Sequence, residues 1–222
     1  VKGIILTSGK KDFAAGMDLN VLADLRNASG ENPAEGVFNG IQSIHQIFRK
    51  IERAGMDAKT NKGGKPIATV LPGTALGIGF ELPLATHRIF AADNPKAKIG
   101  LPEILVGLFP GAGGTIRLVR KLGAMVAAPF LLEGKTLPPA KAKAAGLIDS
   151  VSADPMADAR AWVLNATEAD LIKPWDQKGY KMPGGTPYHP SGFMTFIGAS
   201  AMVHGKTQGA YPAAKALLSA VY

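Results

Sequence analysis

The sequence predicts an α/β domain in which buried parallel strands are linked by helices. Three observations lead there: apolar runs at Ile4 to Leu6 and at Ile67 to Leu71, the second holding only Thr69 as a polar residue, a long stretch between them with apolar residues at helical spacing, and glycine turns that open helices. Near-continuous apolar strands are what a sheet covered on both faces requires. A strand, a crossover helix and a second buried strand make a right-handed βαβ unit.

In chain order, Ile4 to Leu6 is a strand bounded by Gly3 and by Ser8-Gly9. Leu19, Val21, Leu22 and Leu25 have the spacing of a short helix, with Asp18 at the N-cap. Residues 27–36 read as a loop, after which Val37, Phe38, Ile41, Ile44, Phe48 and Ile51 share one face of a long amphipathic helix. Arg49, Lys50 and Arg53 fall in its last turns, where cations complement the helix dipole. A polar connection, Lys59 to Lys65, leads into the strand Ile67 to Leu71. The turn Pro72 to Gly79 opens a helix from about Phe80 to His87; Ile89 to Ala92 follows as a strand and Ile104 to Val106 as a short apolar run. Gly114 to Leu122, Met125 to Leu132 and Pro139 to Ala145 read as helices ended by Gly123, Gly134 and Gly146. Asp154-Pro155 begins another helix, with Ala157, Ala161, Trp162 and Leu164 facing the core. Prolines and glycines dominate residues 173–192, an extended loop, and Pro212 to Tyr222 is helical. The expected organisation is a core over residues 1–172 and a loop plus helical segment over 173–222.

A chain of 222 residues with 46% hydrophobic and 19% charged residues belongs with globular proteins rather than disordered ones. Its net charge of +8 attracts anions, but Lys and Arg are scattered and not interleaved with aromatics, so a nucleic-acid partner is not expected. There are no cysteines, which excludes disulfides and thiol nucleophiles and suits a reducing compartment. The four histidines lack metal-ligand spacing, so no metal is expected. Without an apolar run of membrane-spanning length, no membrane span is expected either, and the cytoplasm is the expected location. His45 and His87 read as satisfied side chains, Trp162 and Phe193 as packing residues.

Three glycine turns precede helices: Phe13 to Leu19, Gly73 to Glu81 and Pro110 to Thr115. Such turns leave backbone N–H groups free to bind anions. They are not nucleotide loops: Gly77-Ile78-Gly79 is followed by Leu82 where a third glycine would stand, and Gly111 to Thr115 has no Gly-Lys-Ser/Thr. What distinguishes them is a pair of acids, Glu81 just inside the second helix and Glu103 after Leu101-Pro102.

In order and spacing, Phe13 to Leu19, Ala75 to Leu82 and Ile99 to Glu103 running on to Pro110 to Thr115 resemble the enoyl-CoA hydratase/isomerase (crotonase) family. Ala91 to Pro95 and Lys173 to Asp176 resemble the hydratase module that begins multifunctional fatty-acid oxidation proteins. The resemblance implies a crotonase-like spiral of ββα units with a helical C-terminal region. The family's opening strands and helix are expected to precede Val1, since the chain begins in a strand already under way.

By the same resemblance, the N–H groups of Met17 and Ile78 form an oxyanion hole for a coenzyme A thioester, Glu81 activates water and Glu103 exchanges the C2 proton. Gly111 offers its N–H to the water or a carboxylate, and Ala15, Gly16, Asp18 and Leu19 contact coenzyme A. From the residues alone, Asp18 is a cap. The implied activity is reversible hydration of trans-2-enoyl-CoA, with no cofactor beyond the substrate's own coenzyme A. The alternatives are a Δ3-Δ2 enoyl-CoA isomerase, which needs one of the two acids, and an inactive acyl-CoA-binding scaffold. The expected assembly is a homotrimer or a multifunctional complex. Two residues depart from the family: Ile78, where glycine is common and a β-branched chain would crowd the acyl group, and Pro83, expected near the start of its helix.

Overall fold

The computed structural model describes residues 1–18, 20, 21, 24 and 32–222. Four parallel strands, β1 (Ile4–Leu6), β2 (Ile67–Leu71), β4 (Arg88–Ala92) and β7 (Ser150–Ser152), form the central sheet in the order β1-β2-β4-β7. Ile4 pairs with Ile67, Ala68 with Arg88 and Phe90 with Ser150. Every residue of β2 is buried, including Thr69, whose hydroxyl pairs with that of Thr86 at 2.9 Å. β1, expected to be buried as well, lies at the sheet edge with Ile4 exposed and Ile5 and Leu6 half-buried. Ala68 and Val70 pack with Phe90, Ala159 and Val163 on one face, while Leu71 joins Ile89, Phe80, Leu84 and Leu118 on the other. Fully burying each of the large side chains stabilises by about 1.5–3 kcal/mol.

The crossover between β1 and β2 includes helix α1 (Pro33–Arg53), started by the Asn32 side chain accepting from the Glu35 amide at 3.3 Å. Phe48 is buried, but Phe38 is 60% exposed and so lies off the expected apolar face; at 100° per residue it stands beside the stripe through Val37, Ile41, Ile44 and Phe48. The short helix expected over Leu19 to Leu25 lies mostly outside the described residues.

After β2 the chain makes β3 (Ala75–Leu76) and helix α2 (Ile78–Ala85). β3 belongs to a second sheet, ordered β3-β5-β6, with β5 (Ile99–Gly100) and β6 (Thr136–Leu137). Ile104 to Val106, read as an apolar run, lies in a 3-10 helix spanning Pro102–Val106. Helices α3 (Gly114–Leu122), α4 (Ala124–Leu132) and α5 (Pro139–Ala144) follow within a residue or so of their expected bounds, and α6 (Pro155–Asn165) packs against the four-stranded sheet, Trp162 against Phe90. The buried residues of α6 are Ala159 and Val163, four apart on one helical face, whereas Ala157, Ala161 and Leu164, expected on the core face, are exposed. Pro83 stands in the second turn of α2 rather than at its start; it has no amide for the Gly79 carbonyl, and the helix ends two residues later.

The short helix α7 (Glu168–Leu171) and a 3-10 turn (Pro174–Asp176) precede two C-terminal helices, α8 (Pro190–Thr207) and α9 (Pro212–Val221). Helix α8 begins inside the expected loop, and its Phe193 is 51% exposed instead of packed. His87 is satisfied at one ring nitrogen only: Nδ1 accepts from the Ile67 amide at 2.9 Å, while Nε2 is buried without a partner among the described residues. No helix among the described residues is long and apolar enough to cross a membrane.

Candidate active site

The first turn runs alongside β3, with Ala14 bridged to Ala75 and the Leu76 amide donating to the Ala14 carbonyl at 2.9 Å. On its other side β3 pairs with β5, which leads into the 3-10 helix bearing Glu103. Gly77 makes the corner into α2 at φ 57° and ψ −133°, a conformation open to glycine and strained for other residues. Within α2, Glu81 faces the turn Pro110 to Gly114 that starts α3. Three chain-distant segments therefore meet because one small sheet pairs their strands.

They enclose a cavity of about 440 Å³. Ala15, Gly16, Met17, Ile78, Glu81, Glu103 and Gly111 line it, and Val37, Ile41 and Ile44 of α1 with Leu105, Leu108 and Phe109 add an apolar wall. Asp18 is not among the lining residues; its carboxylate accepts from the Asn20 amide at 2.9 Å, as a cap does. Leu19 lies outside the described residues. The amides of Met17 and Ile78 have no backbone acceptor among the described residues. The Ile78 side chain packs with Phe48, Ala85 and Ala112, so its branched group has an apolar berth beside the cavity.

The two carboxyls are held differently. Glu81 is 2% exposed, and its Oε1 accepts from the Ala112 amide at 2.9 Å and the Gly114 amide at 2.7 Å. Burial pushes its pKa up to about 7, helped by the nearby Glu103 charge and opposed by the two amides and Arg117. Burial likewise pushes Glu103 up to about 7, but its Oε2 is buried with no hydrogen-bond partner among the described residues. Its Oε1 sits 3.1 Å from where a Cβ on Gly77 would be.

Gly111 lines the cavity, but the amides that reach the Glu81 carboxylate belong to Ala112 and Gly114, and the Gly111 carbonyl meets Nε2 of His45 at 2.6 Å. Sequence reasoning missed these two amides, for which the signal available was the run of small residues from Gly111 to Gly114; His45, read as a satisfied side chain, has its partner in the Gly111 carbonyl. The turn is fixed further by Thr115 Oγ1 donating to the Pro110 carbonyl at 2.9 Å. Arg117 beside it is bound by the buried Glu52, with Nε 3.1 Å from Oε1. No group of three or more His, Asp or Glu gathers as a metal site among the described residues.

Two acids near neutrality, two amides without a backbone acceptor among the described residues and an apolar wall are the groups that proton transfer beside a polarised carbonyl requires. Residues 1–169 match the Enoyl-CoA hydratase/isomerase family. The chain belongs to that family. It is 32% identical over 223 aligned positions to the fatty acid oxidation complex subunit alpha of Shewanella halifaxensis, covering 100% of this chain and 29% of the relative. The chain thus spans under a third of that relative's length. Among solved structures, an enoyl-CoA hydratase from Thermoplasma volcanium superposes with a TM-score of 0.57 at 27% identity, over 98% of this chain and 73% of the other. One from Polaromonas sp. JS666 gives 0.60 at 22% identity over 90% and 67%, a likeness of fold alone. The α/β fold expected from the sequence is the fold of this family.

Proposed function

We propose that the chain adds water reversibly to trans-2-enoyl-CoA, as the hydratase step of fatty-acid oxidation. The observation that supports this most is the pair of carboxyls, Glu81 and Glu103, lining one cavity with both pKa values near 7. Interacting acids of this kind titrate as a pair, so close to neutrality the pair holds about one proton, with one acid able to accept and the other to donate.

In this reading the thioester carbonyl accepts from the Met17 and Ile78 amides, which stabilise the enolate oxygen by several kcal/mol, ~3–4 for one such donor. Glu81, fixed at Oε1, takes a proton from water as the water oxygen bonds to C3. Glu103 delivers its proton to C2, and the enolate electrons return to form the new C–H bond. Exchange with solvent restores both acids. Gly111 orients the water, and the turn Ala15 to Leu19, Asp18 included, borders the coenzyme A; the chain's +8 charge suits its phosphates. No metal or redox cofactor takes part. The protein acts in the cytoplasm, alone as a trimer or within a multifunctional assembly.

The test is the loss of the conjugated enoyl-thioester absorbance of crotonyl-CoA on adding the chain, beside a Glu103→Gln control. Turnover that falls by about 10²–10⁴ in the control supports the reading. Turnover unchanged in the control, or binding of acyl-CoA without turnover, overturns it, the second result pointing to a scaffold.

A further inference from the structure

We infer that His45 is a positioning residue for the Glu81 carboxylate, acting through the Gly111–Ala112 peptide group. Two peptide groups donate to Glu81 Oε1, and each has its carbonyl end on a different support. The Gly113–Gly114 group gives its N–H to Oε1 at 2.7 Å, and its carbonyl accepts from the Arg117 amide at 3.0 Å, the first hydrogen bond of α3. The Gly111–Ala112 group gives its N–H to Oε1 at 2.9 Å, yet it lies ahead of the helix, and its carbonyl faces His45 Nε2 at 2.6 Å. One peptide plane is therefore gripped at both ends, by a histidine of α1 and by the carboxylate.

Because its partner is a carbonyl, Nε2 carries a hydrogen and donates. A peptide following glycine rotates at low steric cost, so without the histidine the Ala112 N–H is free to turn away from Glu81. A carbonyl that accepts a hydrogen bond also polarises its own N–H, strengthening the bond to Oε1. The charged groups acting on Glu81 from the other packed elements are Glu103 on the 3-10 helix and Arg117 on α3. The consequence for turnover rests on the hydratase reading; the consequence for Glu81 does not.

The experiment is a ¹³C NMR titration of glutamate side-chain carboxyls in the full chain, with the Glu81 signal assigned through Glu81→Gln. It is run on the native sequence and on His45→Ala, His45→Asn and His45→Gln, alongside crotonyl-CoA kinetics. Glutamine places a donor where Nε2 stands; asparagine is too short to reach. The Glu81 midpoint should rise by about one pH unit in the alanine and asparagine variants and stay near native in the glutamine variant. Their kcat should fall about tenfold at unchanged KM and recover with glutamine. If alanine prevents folding, the asparagine and glutamine variants decide. An unmoved Glu81 midpoint in asparagine, or a glutamine variant displaced as far as asparagine, overturns the inference. A midpoint that follows His45 in a chain without hydratase turnover supports it and removes the functional reading instead.

Discussion

Glu81 and Glu103 share a cavity and an elevated pKa, but the protein grips one and leaves the other loose. Glu81 sits on a regular helix with two amides closed on one oxygen. Glu103 sits in the first turn of a short 3-10 helix with a buried oxygen that has no hydrogen-bond partner among the described residues. Glu81 is the more deeply buried, but its two amides offset part of that burial, so the two acids reach similar acidity while hydrogen bonding distinguishes them. A tethered carboxylate suits holding a water in one place, and an untethered one suits moving a proton between carbon and solvent.

The strongest way to break this comparison is to neutralise each acid in turn. Both Glu81→Gln and Glu103→Gln should lower hydration of crotonyl-CoA by about 10²–10⁴. Only Glu103→Gln should also abolish deuterium exchange at C2 of a bound acyl-CoA, measured by mass spectrometry. Equal loss of exchange in both would erase the division of labour, and Glu81→Gln with full isomerase turnover would move the chain to the isomerase side of its family.

Glycine replacements next to each acid test the same contrast more gently. A Cβ on Gly114 would come 2.8 Å from Glu81 Cγ, and one on Gly77 would press on Glu103 and strain a positive φ. Gly114→Ala should cut hydration about a hundredfold through displacement of a tethered group. Gly77→Ala should mainly cost stability, about 1–3 kcal/mol by denaturant unfolding, because loose Glu103 can shift aside.

The shared acidity has a pH signature. Both folded-state pKa values lie near 7, above the ordinary 4.5. Below pH 4.5 folded and unfolded chains are both protonated and nothing is lost. From there to about pH 7 the unfolded chain ionises first, so stability falls as pH rises and levels off above. The double variant Glu81→Gln/Glu103→Gln should therefore gain on the native chain by a few kcal/mol between pH 4 and pH 8, measured by urea unfolding. The smallest effect on turnover is expected from Ile78→Gly. Its side chain packs with Phe48 and Ala112, so the variant should lose about 1–2 kcal/mol of stability by thermal melting yet hydrate within about threefold of the native rate.

The strands at Ile67 to Leu71 and Ile89 to Ala92 were legible because a strand buried on both faces is almost wholly apolar; Ile4 to Leu6 was legible from the same kind of run, although this edge strand leaves Ile4 exposed and Ile5 and Leu6 half-buried. Ala75–Leu76, Ile99–Gly100 and Thr136–Leu137 were not: two residues show no period, and their pairing is set by the turns around them. Helix α8 escaped because Gly192, Gly198 and Gly205 interrupt it and its apolar residues, including exposed Phe193, Met194 and Ile197, form no single stripe. At the site, Glu81, Glu103 and the glycine turns stood out as residue types whose order and spacing resemble those of the family. The amides of Ala112 and Gly114 could not, since a backbone donor has no side-chain signature, and His45 acts on a carbonyl that every residue possesses.

The two amides on Glu81 have a stereochemical consequence. An ionised carboxylate oxygen offers two lone pairs in its plane, and Oε1 has both filled by Ala112 and Gly114. Only Oε2 is left to meet a water, so in a hydratase the nucleophile has one address and reaches one face of the planar alkene. The handedness of the alcohol formed would then be set by two peptide bonds whose side chains, a methyl group and a hydrogen, play no part in it.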